Sequence, residues 1–189
     1  MDEIALKKNF EKVMHKDFLI KSDVKGRYLV DGSCVEIDFL IFPLAHLCKR
    51  GFENFWIGIE VKSPNVKEPV KQGLKVAWQA ITYAQSEFTH LKAEPIIENI
   101  RPAFVLIYPP IWEFFPRIKA IGPNDNHYDY NQSYLLNSLI QKGNVGNLVV
   151  NEDRLNWKIE FSGSQYYYSI QKGRSKILNL GIKKHAGCK

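Results

Sequence analysis

Asp38, Glu60 and Lys62 are the residues whose types and spacing could do chemistry in this chain. Glu60 and Lys62 lie in "WIGIEVKSPN", Trp56 to Asn65, on an otherwise apolar strand, where ionised groups are costly to bury unless paired. Strand side chains alternate, so Ile57, Ile59 and Val61 point one way while Trp56, Gly58, Glu60 and Lys62 point the other. Alone, Glu60 and Lys62 read as a surface pair on an edge strand, of small energetic weight. "VEIDFLIF" changes that reading: its alternation puts Val35, Ile37, Phe39 and Ile41 on one face and Glu36 and Asp38 on the other. As antiparallel neighbours with those faces aligned, the two segments bring two carboxylates and an ammonium to one sheet surface. Such oxygen donors suit a hard cation, Mg²⁺ or Mn²⁺, held by Asp38 and Glu60 with positions left for water and phosphate oxygens. The ion lowers the pKa of bound water and stabilises charge on a reacting phosphate. Lys62 adds a point charge able to orient or help deprotonate the attacking water, and Gly58 leaves room for a backbone to approach.

The elements that must position these residues are readable from caps, turns and periodicity. Asp2 caps a helix running to about His15, whose apolar stripe is Leu6, Phe10, Val13 and Met14; Glu3 falls on that stripe, while Glu11 and His15 turn away. Strands are expected at Phe18 to Ile20, Arg27 to Val30 and Ser33 to Phe42, the last two joined by a two-residue turn at Asp31-Gly32. A linker from Pro43 to Asn54 precedes the Glu60 strand. A helix follows from about Val70 to Phe88, with Val70, Leu74, Ala77, Ile81, Ala84 and Phe88 on one stripe and Gln72, Gln79 and Tyr83 on the opposite face. "RPAFVLIYPP" reads as a buried strand, Ala103 to Tyr108, stopped by prolines. Residues 111 to 134 read as aromatic loop, Gln132 to Gln141 as a short helix, and the segment from Asn147 to Ile170 as a meander with turns at Asn151 to Asp153 and Ser162 to Ser164.

Bulk composition limits the function classes. With 189 residues, 45% hydrophobic and 13% aromatic, the chain can bury one sizeable core and is no disordered tail. No apolar run approaches the roughly 20 residues of a membrane span and the charged N-terminus is unlike a signal peptide, so a cytoplasmic protein without a membrane partner is expected. Cys34, Cys48 and Cys188 are far apart, which suits a reducing compartment and offers no zinc spacing. The net charge of +6 lies wholly in residues 142–189, the remainder balancing at zero. That asymmetry suggests a polyanion partner, although a solvated basic surface is the commoner case and an anionic membrane would also fit; for nucleic acid, Lys172, Arg174 and Lys176 of the basic tail are the candidate contacts. There is no phosphate loop, no metal-spaced histidine pair and no G-x-S-x-G.

"VEIDFLIF", "WIGIEVK" and "AWQAITYAQ" together resemble the Asp, Glu-x-Lys and Gln-x-x-x-Tyr motifs of PD-(D/E)xK nucleases, in the RecB-like branch. The resemblance spans about Met1 to Tyr108. It implies an α/β fold with a restriction-endonuclease-like αβββαβ core, a central mixed sheet flanked by helices, and here a C-terminal β-rich basic extension. It also implies Asp38 and Glu60 as metal ligands, Lys62 as catalytic lysine, Gln79 and Tyr83 lining a nucleic-acid cleft, and Glu3 completing the site from the first helix. Two positions depart from the pattern: Ile37 replaces the proline before the motif aspartate, and only His15 stands for the first-helix histidine of some relatives. The expected protein is therefore a Mg²⁺- or Mn²⁺-dependent deoxyribonuclease of phage or mobile-element DNA processing, restriction, recombination or repair. Residues 1–141 form its core and 142–189 a basic extension packed on the same domain; RNA and a homodimer stay open. The alternative is a nucleic-acid-binding module with a vestigial catalytic set, its aromatic, basic meander doing the binding.

Overall fold

Asp2 starts the first helix, α1 (Glu3–Met14), by accepting the Ala5 N–H on Oδ1 at 2.7 Å, which satisfies one of the open donors of the first turn. Leu6, Phe10, Val13 and Met14 are its buried residues, the stripe read from the sequence. The computed structural model describes residues 1–90, 97–115, 128–161 and 165–168. After α1 come strands β1 (Phe18–Tyr28) and β2 (Cys34–Pro43), the short helix α2 (Ala45–Cys48), strand β3 (Ile57–Val61) and helix α3 (Pro69–Ala84). Strands β4 (Ser86–His90), β5 (Ile97–Ile100) and β6 (Phe104–Tyr108) follow, then a 3-10 turn at Ile111–Phe114, helix α4 (Tyr128–Lys142) and strands β7 (Val145–Asn151), β8 (Asn156–Phe161) and β9 (Gln165–Tyr168).

All nine of these strands belong to one sheet, ordered β5-β4-β1-β2-β3-β6-β7-β8-β9. The pairs β3–β6 and β6–β7 are parallel and the rest antiparallel. Parallel neighbours need a crossover, and α3 and α4 supply the two. Strand β6 shows the layers: Phe104, Leu106 and Tyr108 pack with α1, Trp157 and Phe52, whereas Val105 and Ile107 pack with Val76, Ala77 and Ala80 of α3 and Ile140 of α4. The result is a mixed α/β fold whose central sheet is flanked by helices. No helix among the described residues is long and apolar enough to cross a membrane.

Several local expectations change. Two short strands become the single β1, since its polar centre, Lys21 to Gly26, pairs with β2 as fully as its ends do, apart from Asp23 at φ 49°. The β1–β2 turn is longer than two residues: Tyr28 N–H donates to Ser33 O at 2.8 Å, with Gly32 at φ 77° and the Ser33 N–H donating to Asp31 Oδ1 at 2.9 Å. Val35 and Ile37 pack on the α3 side whereas Phe39 and Ile41 pack on the α1 side, so the alternation of β2 breaks at Asp38. Helix α3 stops at Ala84, and Phe88 belongs to β4. Its buried residues are Gly73, Val76, Ala77, Ala80 and Tyr83, while Leu74 and Trp78 are 46% and 63% exposed. The buried face is thus rotated by roughly 80° from the expected stripe on a wheel of 100° per residue. Small residues let this helix lie close; a Cβ on Gly73 would stand 2.9 Å from Phe114 Cβ. Helix α4 begins at Tyr128, ahead of the expected Gln132. The Asn151 turn occurs, with Arg154 N–H donating to Asn151 Oδ1 at 3.0 Å. The expected turn at 162–164 and the candidate contacts Lys172, Arg174 and Lys176 lie outside the described residues.

Candidate active site

Strand β3 is buried along its whole length, so Glu60 is carried into the interior at 4% exposure. Its neighbour Gly58 is required by packing: a Cβ there would meet Ile37 Cδ1 at 2.7 Å and Val105 Cγ2 at 2.9 Å. The space read as room for an approaching backbone is filled by those two side chains. Asp38 arrives from β2 where the β2–β3 ladder ends at Phe39 opposite Ile59. There its carboxylate replaces a main-chain acceptor, Oδ2 taking the Val61 N–H at 2.7 Å. A single hydrogen bond thus fixes the Asp38 side chain against the strand that carries Glu60.

Lys62 follows β3 and keeps its main chain on β6, its N–H donating to Tyr108 O at 2.9 Å. Its ammonium pairs with Glu3 Oε2 at 3.0 Å. Ser63 Oγ donates to Met1 O at 3.0 Å, tying the start of α1 to the same strand end. One turn along α1, Lys7 pairs with Asp38 Oδ1. The helix therefore offers two charges, four residues apart on one face, to two strands. Lys7 is absent from the set expected on sequence grounds; its four-residue spacing from Glu3 is the signal that finds it.

The charges act on one another strongly. Burial, then the Asp38 charge, push the Glu60 carboxyl up to about 9 against the opposing pull of Lys62, with a hydrogen bond to Asp38 and the Glu3 charge adding to the rise. Near neutral pH this carboxyl keeps its proton. Burial pulls Lys7 down, but the hydrogen bond and charge of Asp38 outweigh it and the ammonium is held above its ordinary value. Tyr83 is 7% exposed, and burial together with the Glu60 and Asp38 charges raises its phenol, offset in part by a hydrogen bond from Gln79. Gln79 Oε1 is buried with no hydrogen-bond partner among the described residues. Gln79 and Tyr83 therefore belong to the flank of α3 beside Glu60, not to a face opposite the core.

Glu3, Asp38, Glu60, Lys62, Gln79 and Tyr83 thus form one electrostatically linked set, joined by Lys7. Among the described residues no group of three or more His, Cys, Asp or Glu side chains is arranged to hold a metal. The acidic pair Asp38 and Glu60 is nonetheless an oxygen-only donor set of the kind hard cations take. A protonated buried carboxyl next to a carboxylate is a place where a divalent ion can displace the proton. A cavity of about 520 Å³, lined by Asn9, Pro64, Tyr108, Trp112, Glu113 and Glu152 among others, opens at the carboxyl ends of the parallel strands β6 and β7, and none of Glu3, Asp38, Glu60 or Lys62 lines it. Such ends are where open α/β sheets bind ligands. Compared with known protein families, curated proteins and solved structures, the chain matches none.

Proposed function

We propose that this chain is a Mg²⁺- or Mn²⁺-dependent nuclease of the PD-(D/E)xK type, hydrolysing phosphodiester bonds of DNA in the cytoplasm, in mobile-element or phage DNA processing, restriction, recombination or repair. One observation carries the reading: Asp38 and Glu60, from adjacent strands, meet at one corner with Lys62, and Glu60, itself buried, is pushed up to about 9 there. The succession α1, β1, β2, β3, α3 and β6 agrees with the αβββαβ core that the motifs imply, with the short α2 added between β2 and β3 and with β4 and β5 added between α3 and β6. Asp38 and Glu60 would hold the ion, which supplies a Lewis acid for the phosphate and a more acidic water. The chain's own residues do the rest. Lys62, steadied by Glu3, orients the attacking water and stabilises charge on the phosphate; Lys7 holds the Asp38 carboxylate in place. The orphaned Gln79 Oε1 accepts from a donor on the substrate, and Tyr83 closes the flank against bulk water. Water adds across the P–O bond, leaving a phosphate monoester and a hydroxyl.

The competing reading, a nucleic-acid-binding module with a vestigial site, draws on the ion pairs Lys7–Asp38 and Lys62–Glu3, which neutralise the acids without a metal. Incubation with linear, circular, nicked and branched DNA, with and without Mn²⁺, separates the two. The nuclease cuts only with metal; Asp38→Asn and Glu60→Gln lose both cutting and metal binding, and Lys62→Ala keeps metal binding while its rate falls about 100-fold or more. Wild-type protein that binds DNA and cuts none with Mn²⁺ establishes the binding module instead.

A further inference from the structure

Helix α3 carries more than the flank that touches Glu60. Counting back from Tyr83 in steps of four gives Gln79, Lys75 and Lys71, and each step turns roughly 40° away from the core while moving about 6 Å toward the helix start. The row begins buried at Glu60 and ends fully exposed: Tyr83 is buried, Gln79 intermediate, Lys75 and Lys71 exposed. Lys67, exposed in the loop before the helix, extends it. Beside this row stands Trp78, 63% exposed, with Leu74 next to it at 46%. Between Val61 and Ser86 four lysines, Lys62, Lys67, Lys71 and Lys75, face the single acid Glu68. Lys71 and Glu68 pair at 3.0 Å, but both are exposed and such a pair is weak enough for a phosphate to replace.

A polyanion reaching the Asp38–Glu60 corner is attracted along the α3 side, where these lysines outnumber the one acid. We infer that the outer row of α3, Lys75, Lys71 and Lys67 with Trp78, is a track for an unpaired nucleic-acid strand leaving the site, so that the substrate class is DNA with a single-stranded segment beside the scissile phosphate. A duplex needs only the lysines. An indole left in water is suited to an unpaired base, whose face it can stack against whatever the sequence. This deepens the nuclease reading and rests on it for the place where the track begins.

The test is read in two separate assays. Binding of fluorescein-labelled single-stranded and duplex oligonucleotides is measured by anisotropy in EDTA, where metal-dependent cutting is absent. Trp78→Ala should weaken single-strand binding about 10-fold and leave duplex binding within about twofold; Trp78→Phe should restore most of the loss. Lys71→Gln and Lys75→Gln should each lower the slope of log affinity against log salt by about 0.7 for single strands. Cutting of tailed and blunt duplexes by wild-type protein in Mn²⁺ is scored separately. If nothing is cut but the Trp78 and lysine effects appear, the track stands and the nuclease reading falls. Equal single-strand affinity in wild type and Trp78→Ala overturns the track, whether or not wild type cuts. So does a Trp78→Ala variant that changes only self-association in sedimentation, shared by Leu135→Ala on the exposed side of α4, which would make this face a contact between copies of the chain.

Discussion

Glu60 links the candidate site to stability. Burial and then the Asp38 charge push its carboxyl from the ordinary 4.5 up to about 9, so between these values the folded state keeps a proton that the unfolded state has lost. Stability without metal therefore falls as pH rises through that window, by an amount on the order of a few kcal/mol. Thermal melts in EDTA should show wild type losing stability from pH 5 to pH 8.5, with Glu60→Gln showing little of that loss. Added Mn²⁺ should raise the wild-type melting temperature most at the alkaline end and release protons, which calorimetry in buffers of different ionisation enthalpy detects. Asp38 has a structural task as well, since its Oδ2 holds the Val61 N–H at 2.7 Å. Asp38→Ala should cost about 1–3 kcal/mol and Asp38→Asn clearly less, because the amide oxygen keeps the acceptor and only the charge is lost. A denaturant series that ranks the two variants equally would remove that task from Asp38. Asp38, Glu60 and Lys62 are legible in the sequence because charge in an apolar strand is conspicuous. Lys7 is passed over because a reading of α1 that follows its apolar stripe reaches Glu3 but stops short of the polar edge one turn on, although the four-residue spacing from Glu3 to Lys7 marks it.

At the scale of elements, the phase of α3 decides which of its side chains matter for folding and which for binding. The observed burial makes Tyr83 a core residue, its ring 6.2 Å from that of Phe88 and packed edge-on. Tyr83→Ala should accordingly cost about 3 kcal/mol or more, whereas Trp78→Ala should stay within about 0.5 kcal/mol. Urea unfolding of these two variants and of Leu74→Ala checks this; a neutral Tyr83→Ala together with a damaging Leu74→Ala would restore the stripe expected from sequence. The misreading has a physical origin. Large apolar residues, Leu74 and Ile81 above all, dominate a hydrophobic wheel, yet the buried face is Gly73, Val76, Ala77, Ala80 and Tyr83, three of them small enough for the helix to lie close to its neighbours. The same weighting hides the strand nature of residues 86–90, which continue the helical pattern in sequence but find unpaired edge on β1. Where side-chain size and burial agree, as in α1 with its Asp2 cap or β6 with five apolar residues before two prolines, the element is readable. Long-range pairing alone makes β1 one strand through its polar centre.

Across the whole molecule, two basic regions could hold a polyanion, and they predict different salt behaviour. The row on α3 begins at the site, while the net charge of +6 is carried by residues 142–189. Within that segment Lys158 pairs with Glu160, so the excess lies mainly beyond β9, where Lys172, Arg174, Lys176, Lys183, Lys184 and Lys189 have no acidic neighbours in sequence. Truncation after Gly173 removes five of these cations and none of the elements that carry Asp38, Glu60 or α3. For every phosphate deprived of its cation, the slope of log affinity against log salt drops by about 0.9 on duplex and about 0.7 on single strands. A charged tail cannot tell the two apart, so truncation should weaken both in nearly the same proportion, in contrast to Trp78→Ala. The truncated protein should still bind Mn²⁺ and cut at saturating DNA concentration, since the residues proposed to hold the ion and orient water remain. Anisotropy titrations over a range of salt concentrations, before and after truncation, measure the effect. An unchanged slope would leave α3 as the binding surface and the tail without a part in affinity, and a loss confined to single strands would move the stacking platform from Trp78 to the tail.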